Sequence, residues 1–250
     1  MPLTPLWNES RMGFEAAGLL RSETWREAGA LDGAGRGVLL VPGFMAGDRT
    51  LGLMTHWLRR AGYRTRSAGT RSNIDCAGAT LGVLEQRLEG LIERSGRSTA
   101  VVIGQSRGGN MARALAARRP ELVAGLITLG SPHLDPLAVH PLTLLSVRAV
   151  GALGTLGFPG LLSRRCLDGD CCADFREGVA VDWPADLPFV SVYSRRDGVV
   201  DWRACLEPGA QHVEVDSSHC GMAAHEGTYE AIAEALRTFA ARDDGWAQAA

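Results

Sequence analysis

Apolar residues along this chain follow two patterns that alternate from one segment to the next. Short runs that are mostly apolar or β-branched predict strands at Val38–Val41, Tyr63–Ser67, Ala100–Ile103, Leu126–Leu129, Phe189–Tyr193 and His212–Val215. Apolar residues at helical spacing predict helices at Leu51–Arg60, Leu81–Arg94, Met111–Arg118 and Tyr229–Phe239. Because strands that alternate with helices pair in parallel and are covered on both faces, the pattern predicts an α/β fold with a mostly parallel central sheet flanked by helices.

Two regions interrupt this alternation. Residues 8–31 predict an N-terminal amphipathic helix, with Trp25 as the residue that docks it onto the body. Residues 134–185 form a long, leucine-rich insertion between two predicted strands. Since connections of this length are usually functional, we expect a helical cap over the carboxyl edge of the sheet, where open α/β sheets bind ligands. We treat residues 1–250 as one domain that carries this cap.

Composition narrows the possible functions. The 26 basic and 28 acidic residues give a net charge of −2, which offers no electrostatic case for nucleic acid as a partner. All 26 basic residues are arginine, so a Schiff-base lysine, a P-loop lysine and a Ser-Lys dyad are excluded. The first residues, MPLTPLWNESR, do not resemble a secretory signal, and no apolar run approaches the roughly 18 residues of a membrane span. We therefore expect a cytoplasmic protein without stable membrane insertion.

The strongest chemical signal is the segment AVVIGQSRGGNMARALA at residues 100–116, which reads as a strand, a tight turn and a helix. It contains the pattern G-x-S-x-G in the setting that its mechanism requires. Gly104 and Gly108 relieve crowding in the turn, and Gly109 lets the helix begin close to the sheet. The pattern predicts that Ser106 is a nucleophile at a helix N-terminus, where the helix dipole favours developing negative charge.

A nucleophilic serine requires a base and an acid that orients the base, and here the expected chain order is Ser, acid, His. His219 lies directly after the last predicted strand, which favours it over His225, a residue that already approaches the final helix. Asp197 lies in the turn just after Phe189–Tyr193, which favours it over Asp201, four residues later. The predicted catalytic residues are therefore a serine, an aspartate and a histidine from three separate loops.

The reaction also requires two backbone N–H groups that stabilise the negatively charged oxygen of the intermediate. One should come from Arg107, the residue after the nucleophile. The other should come from the loop VPGFMAGD at residues 41–48, with Phe44 as the expected donor and Met45 as the alternative.

Together these segments resemble the α/β-hydrolase superfamily over about residues 36–240, and bacterial serine esterases and lipases most of all. ITLGSPH resembles the lipase segment that follows the helix of the nucleophile, YSRRDGVVDW the acid turn, and SSHCGM the histidine loop. The resemblance implies an α/β-hydrolase fold in which Ser106, Asp197 and His219 are the catalytic triad. The chain departs from many lipases at Pro42-Gly43, Gln105 and Arg107, and these departures leave the substrate class open.

The residues predict a serine hydrolase that cleaves an ester, a thioester or an amide through an acyl-enzyme, with no metal or organic cofactor. The alternatives are an acyltransferase or cyclase with the same triad, and a non-catalytic binding protein of the same fold. The expected substrate is a small ester or acyl compound with an apolar part. The residues predicted to contact it are Met45, Gln105, Leu137 and Leu145. We also expect Arg107 to reach the pocket mouth, or to pair with an acid such as Asp135.

The six cysteines show no paired C-x-x-C spacing, so the sequence does not indicate a metal or redox site. Free thiols are the default for a reducing compartment. Cys205 and Cys220 belong to loops that should converge at the active site, so a disulfide between them stays open. Cys166 with Cys171 or Cys172 is a second possible pair.

Overall fold

The computed structural model describes residues 5–249, with the side chains of residues 5–166 and 169–242. At its centre is a parallel sheet of six strands in the order β2-β1-β3-β4-β5-β6. The strands are β1 (Gly37–Val41), β2 (Arg64–Ser67), β3 (Ala100–Gln105), β4 (Val123–Leu129), β5 (Phe189–Tyr193) and β6 (Gln211–Glu214). The predicted α/β fold and the strands are confirmed, with shifts of one to three residues at some strand ends.

The α-helices lie between and around these strands. They are α1 (Met12–Arg21), α2 (Glu23–Arg26), α3 (Gly52–Arg60), α4 (Ala77–Ser95), α5 (Arg107–Arg118), α6 (Pro141–Thr155), α7 (Arg165–Asp168), α8 (Ala173–Ala180) and α9 (Glu226–Ala249). Short 3₁₀ helices occur at Leu6–Arg11, Ala28–Leu31, Asp48–Leu51, Pro120–Leu122, Asp170–Cys172, Trp202–Cys205 and Gly221–Ala224. No helix within residues 5–249 is long and apolar enough to cross a bilayer.

Alternation along the strands divides the core into two layers. On β1, Val38 and Leu40 face a layer completed by α1, α3 and α9. Leu39 and Val41 face the opposite layer, which α4, α5 and α8 complete. Every residue of β1 is buried, as expected for a strand covered on both faces.

The N-terminal segment is not the single helix that the sequence predicted for residues 8–31. It consists of a 3₁₀ helix, then α1, α2 and a second 3₁₀ helix. The break falls at Ser22, whose extended backbone ends α1 and whose Oγ accepts a hydrogen bond from Trp25 N at 3.1 Å. Capping of a new helix by serine therefore outweighs continuation of the old one. Trp25 docks this segment as predicted, with its ring 5.8 Å from that of His56.

The insertion at residues 134–185 has two parts with different surroundings. α6 lies beside the carboxyl edge of the sheet and contains a single buried residue, Gly151. α8 packs instead on α5, where a Cβ added to Gly178 would lie 2.9 Å from the Cα of Ala114. Arg113 fixes this contact by donating to the carbonyls of Gly178, Val179 and Val181.

The insertion leaves many of its apolar side chains exposed to solvent. The exposed large apolar residues among those whose side chains are described are Leu134, Leu137, Leu142, Leu145, Leu153, Leu156, Phe158 and Val181. Of these residues, Leu142, Leu145 and Leu153 belong to α6, which buries only Gly151 against the body of the domain.

Candidate active site

Ser106 occupies a strained turn between β3 and α5. Its φ of 54° and ψ of −125° are rarely adopted by a residue with a side chain. The turn is held by Ser106 N, which donates to Leu129 O at 2.8 Å, and by Gly109 N, which donates to Ser106 O at 2.9 Å. A Cβ added to Gly104 would lie 2.5 Å from Gly108 O, so the prediction that the neighbours of the serine must be small is confirmed.

His219 and Asp197 form a short, buried hydrogen bond, with 2.6 Å between Nδ1 and Oδ2. The other carboxylate oxygen of Asp197 accepts from Val199 N at 2.8 Å and from Val200 N at 2.7 Å. Both side chains are buried. Since Nδ1 is engaged by Asp197, Nε2 is the ring nitrogen available to a substrate or a nucleophile.

The environment of His219 stabilises its protonated form. Burial by itself lowers the pKa, but the Asp197 carboxylate, its hydrogen bond and the charge of Glu9 outweigh that effect. The pKa of His219 therefore lies above its ordinary value of 6.5. A base with such a pKa accepts a proton readily and is neutral only on the alkaline side of that pKa.

Ser106 and His219 line the same cleft, which has a volume of about 660 Å³. Phe44, Met45 and Gln105 also line it. α1 contributes a wall that the sequence did not predict, through Met12, Gly13 and Ala16, and α6 contributes Leu142, Thr143 and Ser146.

Leu137 and Leu145, the other two residues predicted to contact the substrate, are exposed and do not line this cleft. Leu142 and Ser146 are four residues apart and share the face of α6 that borders the cleft, and Leu145 does not border it.

Asp201 and His225 were the less favoured candidates for the acid and the base, and both have other positions. Asp201 accepts from Arg203 N at 3.1 Å and so caps the 3₁₀ helix Trp202–Cys205. His225 O accepts from Thr228 N at the start of α9. Neither residue lines the cleft within the described part of the chain.

The loop that follows β1 adjoins the predicted nucleophile. A Cβ added to Gly43 would lie 3.2 Å from Ser106 Cβ. Phe44 and Met45 occupy a turn that Ala46 N closes by donating to Gly43 O at 3.2 Å. The predicted N–H donors, Phe44 and Arg107, therefore belong to two segments that meet beside Ser106.

The side chain of Arg107 does not point toward the cleft, and the expectation that it reaches the pocket mouth or pairs with Asp135 is wrong. Its guanidinium donates to Asn73 O and Oδ1, at 2.6 and 2.7 Å, and to Asp75 O at 2.7 Å. Loss of solvent lowers its pKa to about 10, so it remains cationic at neutral pH. Asn73 in turn donates to Pro42 O at 2.6 Å, so Arg107 helps to fix the loop after β1.

Glu9 is the first of two residues near the site that sequence reasoning missed. Its Oε1 accepts from His219 N at 2.9 Å and from Gly198 N at 3.1 Å. Its Oε2 accepts from Cys220 N at 2.8 Å. One carboxylate of the N-terminal segment therefore joins the acid turn to the histidine loop.

Glu15 is the second residue near the site that sequence reasoning missed. It is buried, and it accepts from Ser218 N at 2.9 Å and from Ser218 Oγ at 2.6 Å. Ser218 Oγ accepts in turn from Gly221 N at 3.1 Å. The only sequence signal for these two carboxylates is their place in a segment predicted to dock on the body, because their partners are mostly backbone groups.

All six cysteines, which lie within the described residues, are free thiols. The structure contains no disulfide between Cys205 and Cys220, and none from Cys166 to Cys171 or Cys172. Cys220 lies on the rim of the cleft, whereas Cys205 is buried.

Comparison with known proteins agrees with the fold described above. The family model described as alpha/beta hydrolase fold matches residues 66–151. A lipase from Bacillus licheniformis superposes with a TM-score of 0.61 at 15% identity, over 82% of this chain and 93% of that one. The 2-hydroxy-6-oxo-6-phenylhexa-2,4-dienoate hydrolase of Rhodococcus sp. strain RHA1 superposes with a TM-score of 0.56 at 15% identity, over 83% of this chain and 91% of that one.

A monoacylglycerol lipase from Paleococcus ferrophilus gives a TM-score of 0.55 at 15% identity, over 81% of this chain and 94% of that one. No curated protein sequence matches the chain. The chain has the α/β-hydrolase fold, and the resemblance noted in the sequence is confirmed.

Proposed function

We propose that this protein is a serine hydrolase that cleaves a carboxylic ester, with Ser106, His219 and Asp197 as its triad. The observation that carries the proposal is the combination of one cleft lined by Ser106 and His219 with the 2.6 Å bond from His219 to Asp197. Lipases and other hydrolases among the structures of the same fold support an ester as substrate.

The reaction proceeds in two halves through an acyl-enzyme. Ser106 Oγ bonds to the ester carbonyl carbon while His219 Nε2 takes the hydroxyl proton, and Asp197 stabilises the imidazolium. The N–H groups of Phe44 and Arg107 hold the negatively charged oxygen. His219 then gives its proton to the departing alcohol. Water then attacks the carbonyl carbon of the acyl-enzyme while His219 takes a proton from it. His219 returns that proton to Ser106 Oγ, which releases the acid and restores the serine.

The lining of the cleft favours a substrate with an apolar part. Met12, Phe44, Met45, Leu53 and Leu142 all border it. Each CH₂ group that moves from water into such a site contributes about 0.8 kcal/mol, or nearly a factor of four in binding. We therefore expect medium-chain esters to be cleaved better than acetate esters, until the cleft is filled.

Labelling with a fluorophosphonate probe tests the proposal directly. Wild-type protein should be labelled at Ser106, and Ser106→Ala should not be labelled. Ser146→Ala is the matched control, because Ser146 borders the same cleft and should leave labelling intact. A folded wild-type protein that neither reacts with the probe nor hydrolyses p-nitrophenyl esters of graded chain length would contradict the proposal. It would favour the non-catalytic binding protein.

The second half of the reaction decides between hydrolysis and acyl transfer. Added alcohols and amines should compete weakly with water for the acyl-enzyme, leaving the free acid as the main product. A product mixture dominated by the new ester or amide would instead identify an acyltransferase that uses the same triad.

A further inference from the structure

Four of the six cysteines converge on one point, although they come from two separate parts of the chain. Cys76 caps the N-terminus of α4, whereas Cys166, Cys171 and Cys172 lie in the insertion. Their four Sγ atoms all lie within 4.8 Å of one another. Cys172 Sγ is 3.4 Å from Cys76 Sγ and 3.9 Å from Cys171 Sγ.

These separations match the size of a metal–thiolate centre. Four sulfur ligands placed tetrahedrally at the usual Zn–S distance of about 2.3 Å lie about 3.8 Å from one another. Four thiolates in a tetrahedron favour zinc over harder cations such as Mg²⁺ and Ca²⁺, which prefer oxygen ligands. A disulfide, in contrast, joins two sulfurs and does not require four of them around a common centre.

The backbone is arranged to make this approach possible. A Cβ added to Gly78, in the first turn of α4, would overlap the carbonyl group of Cys171. Leu162 N donates to Ile74 O at 2.7 Å, two residues before Cys76. The insertion is therefore held against the start of α4 by close contacts that do not involve the sulfur atoms.

The surroundings also suit a centre of negative charge. Zinc with four thiolates carries a net charge of −2, and the guanidinium of Arg107 interacts favourably with negative charge on Cys76, Cys166 and Cys172. Ser163 N donates to Cys166 Sγ at 3.3 Å. Positive charge and N–H donors around the ligands are the outer-shell features that support metal–thiolate sites.

We propose that Cys76, Cys166, Cys171 and Cys172 bind one zinc ion that fastens the insertion to the body of the domain. Binding releases the thiol protons and forms four Zn–S bonds, so the site needs neither an oxidant nor a reductant. The linear sequence did not indicate it, because α4, β3, α5, β4 and α6 separate Cys76 from the other three ligands.

The zinc site would stand next to the candidate active site without taking part in its chemistry. Cys76 directly follows the loop whose residues Asn73 and Asp75 accept hydrogen bonds from Arg107. That arginine is the first residue after Ser106. Zinc would therefore stabilise the insertion and the loop beside the nucleophile together.

Metal analysis of the intact protein tests the proposal, independently of any activity. Protein purified under reducing conditions should contain one zinc per chain, and its metal-free form should melt at a lower temperature until zinc is added back. Co²⁺ in place of zinc should give the intense visible bands and the sulfur charge-transfer band of a tetrahedral thiolate centre.

Cys171→Ser is the most informative variant, because Cys171 is exposed and its loss disturbs packing least. Zinc affinity should fall by at least about tenfold, and the cobalt spectrum should become that of three sulfur ligands. Cys220→Ser, an exposed cysteine outside the cluster, is the control and should keep its metal.

Two results would overturn the proposal. One is reduced wild-type protein that binds neither zinc nor cobalt more tightly than Cys171→Ser does. The other is a pair of stable disulfides among these four cysteines in protein isolated without reductant, with no metal taken up after reduction. Since both readouts concern metal binding alone, they do not depend on whether the protein hydrolyses esters.

Discussion

The two walls of the cleft are held in opposite ways. On one side, the histidine loop is bonded to Glu9, to Glu15 and to Gln105, whose Nε2 donates to His219 O at 3.0 Å. On the other side, α6 buries only Gly151 and leaves Leu142 58% exposed. The groups of the proposed triad are therefore fixed in place, whereas the wall proposed to contact the substrate has few contacts that restrict its movement.

The difference follows from the chemistry of each wall. Buried N–H groups in the histidine loop must find acceptors, and carboxylates from the N-terminal segment supply them with directional bonds. An apolar helix in contact with water has only non-directional contacts, so it tolerates small displacements. We infer that substrate choice depends on the second wall and turnover on the first.

The largest expected effect comes from removing the nucleophile at the fixed wall. Ser106→Ala and His219→Ala should each lower kcat by about 10⁴-fold or more, and the double variant should be no worse than either one. Steady-state hydrolysis of a p-nitrophenyl ester measures this. Full activity in Ser106→Ala would contradict the proposal that Ser106 is the nucleophile, and with it the division into a catalytic wall and a substrate wall.

The next largest effect should come from the support behind that wall. Glu15→Ala leaves Ser218 N without its acceptor, which should cost about 2 kcal/mol of unfolding free energy and lower Tm by about 4–8 °C. It should also lower kcat more than it raises KM. Glu23→Ala, an exposed acidic residue of the same segment, is the control for thermal unfolding and kinetics. If Glu15→Ala and Glu23→Ala lost stability and kcat equally, the effect could not be attributed to the contact between Glu15 and Ser218.

A third effect should appear in the pH dependence of turnover. Since the pKa of His219 is raised above 6.5 and the neutral form is the base, kcat/KM should fall as the pH drops through that raised pKa. Glu9→Gln removes a negative charge that raises the pKa, so the acid limb of the profile should move to lower pH. Glu23→Gln should leave the limb in place, and an unmoved limb in Glu9→Gln would show that its role is only structural.

The smallest effect should come from the apolar wall. Leu142→Ser should lower kcat/KM for medium-chain esters by roughly threefold to tenfold, because it removes two or so buried CH₂ contacts. It should leave acetate esters almost unchanged. Leu145→Ser is matched in chemistry and lies on the same helix but outside the cleft, so it should have no effect on either ester. Equal losses for both variants and both esters would contradict the assignment of α6 to substrate recognition.

The sequence predicted those parts of the molecule whose structure is determined by residues close together in the chain. The buried strands are apolar, and the turn at Ser106 requires small neighbours, so both leave local patterns. β6 was predicted one residue too late, because its exposed residues give a weaker pattern than the buried strands. The bond from His219 to Asp197 agrees with the predicted order of the chain.

The parts that the sequence did not predict depend on distant partners. Glu9 and Glu15 accept bonds mostly from backbone groups, and backbone groups carry no residue-specific signal. Arg107 has a side chain long enough to turn either toward the cleft or toward Asn73, and only the packed structure decides between them. The convergence of Cys76 with Cys172 likewise depends on the place of the insertion in three dimensions.

The bonds of the N-terminal segment also determine when the candidate site is completed during folding. Ser218 N is bonded to a residue 203 positions earlier in the chain, and contacts of such long range form late. During synthesis the segment that contains β1–β5 emerges first, and it already includes Ser106 but not His219. A nascent chain at that stage has the proposed nucleophile without its proposed base. We therefore expect it to be inert until the last strand has added and the two ends of the chain have met.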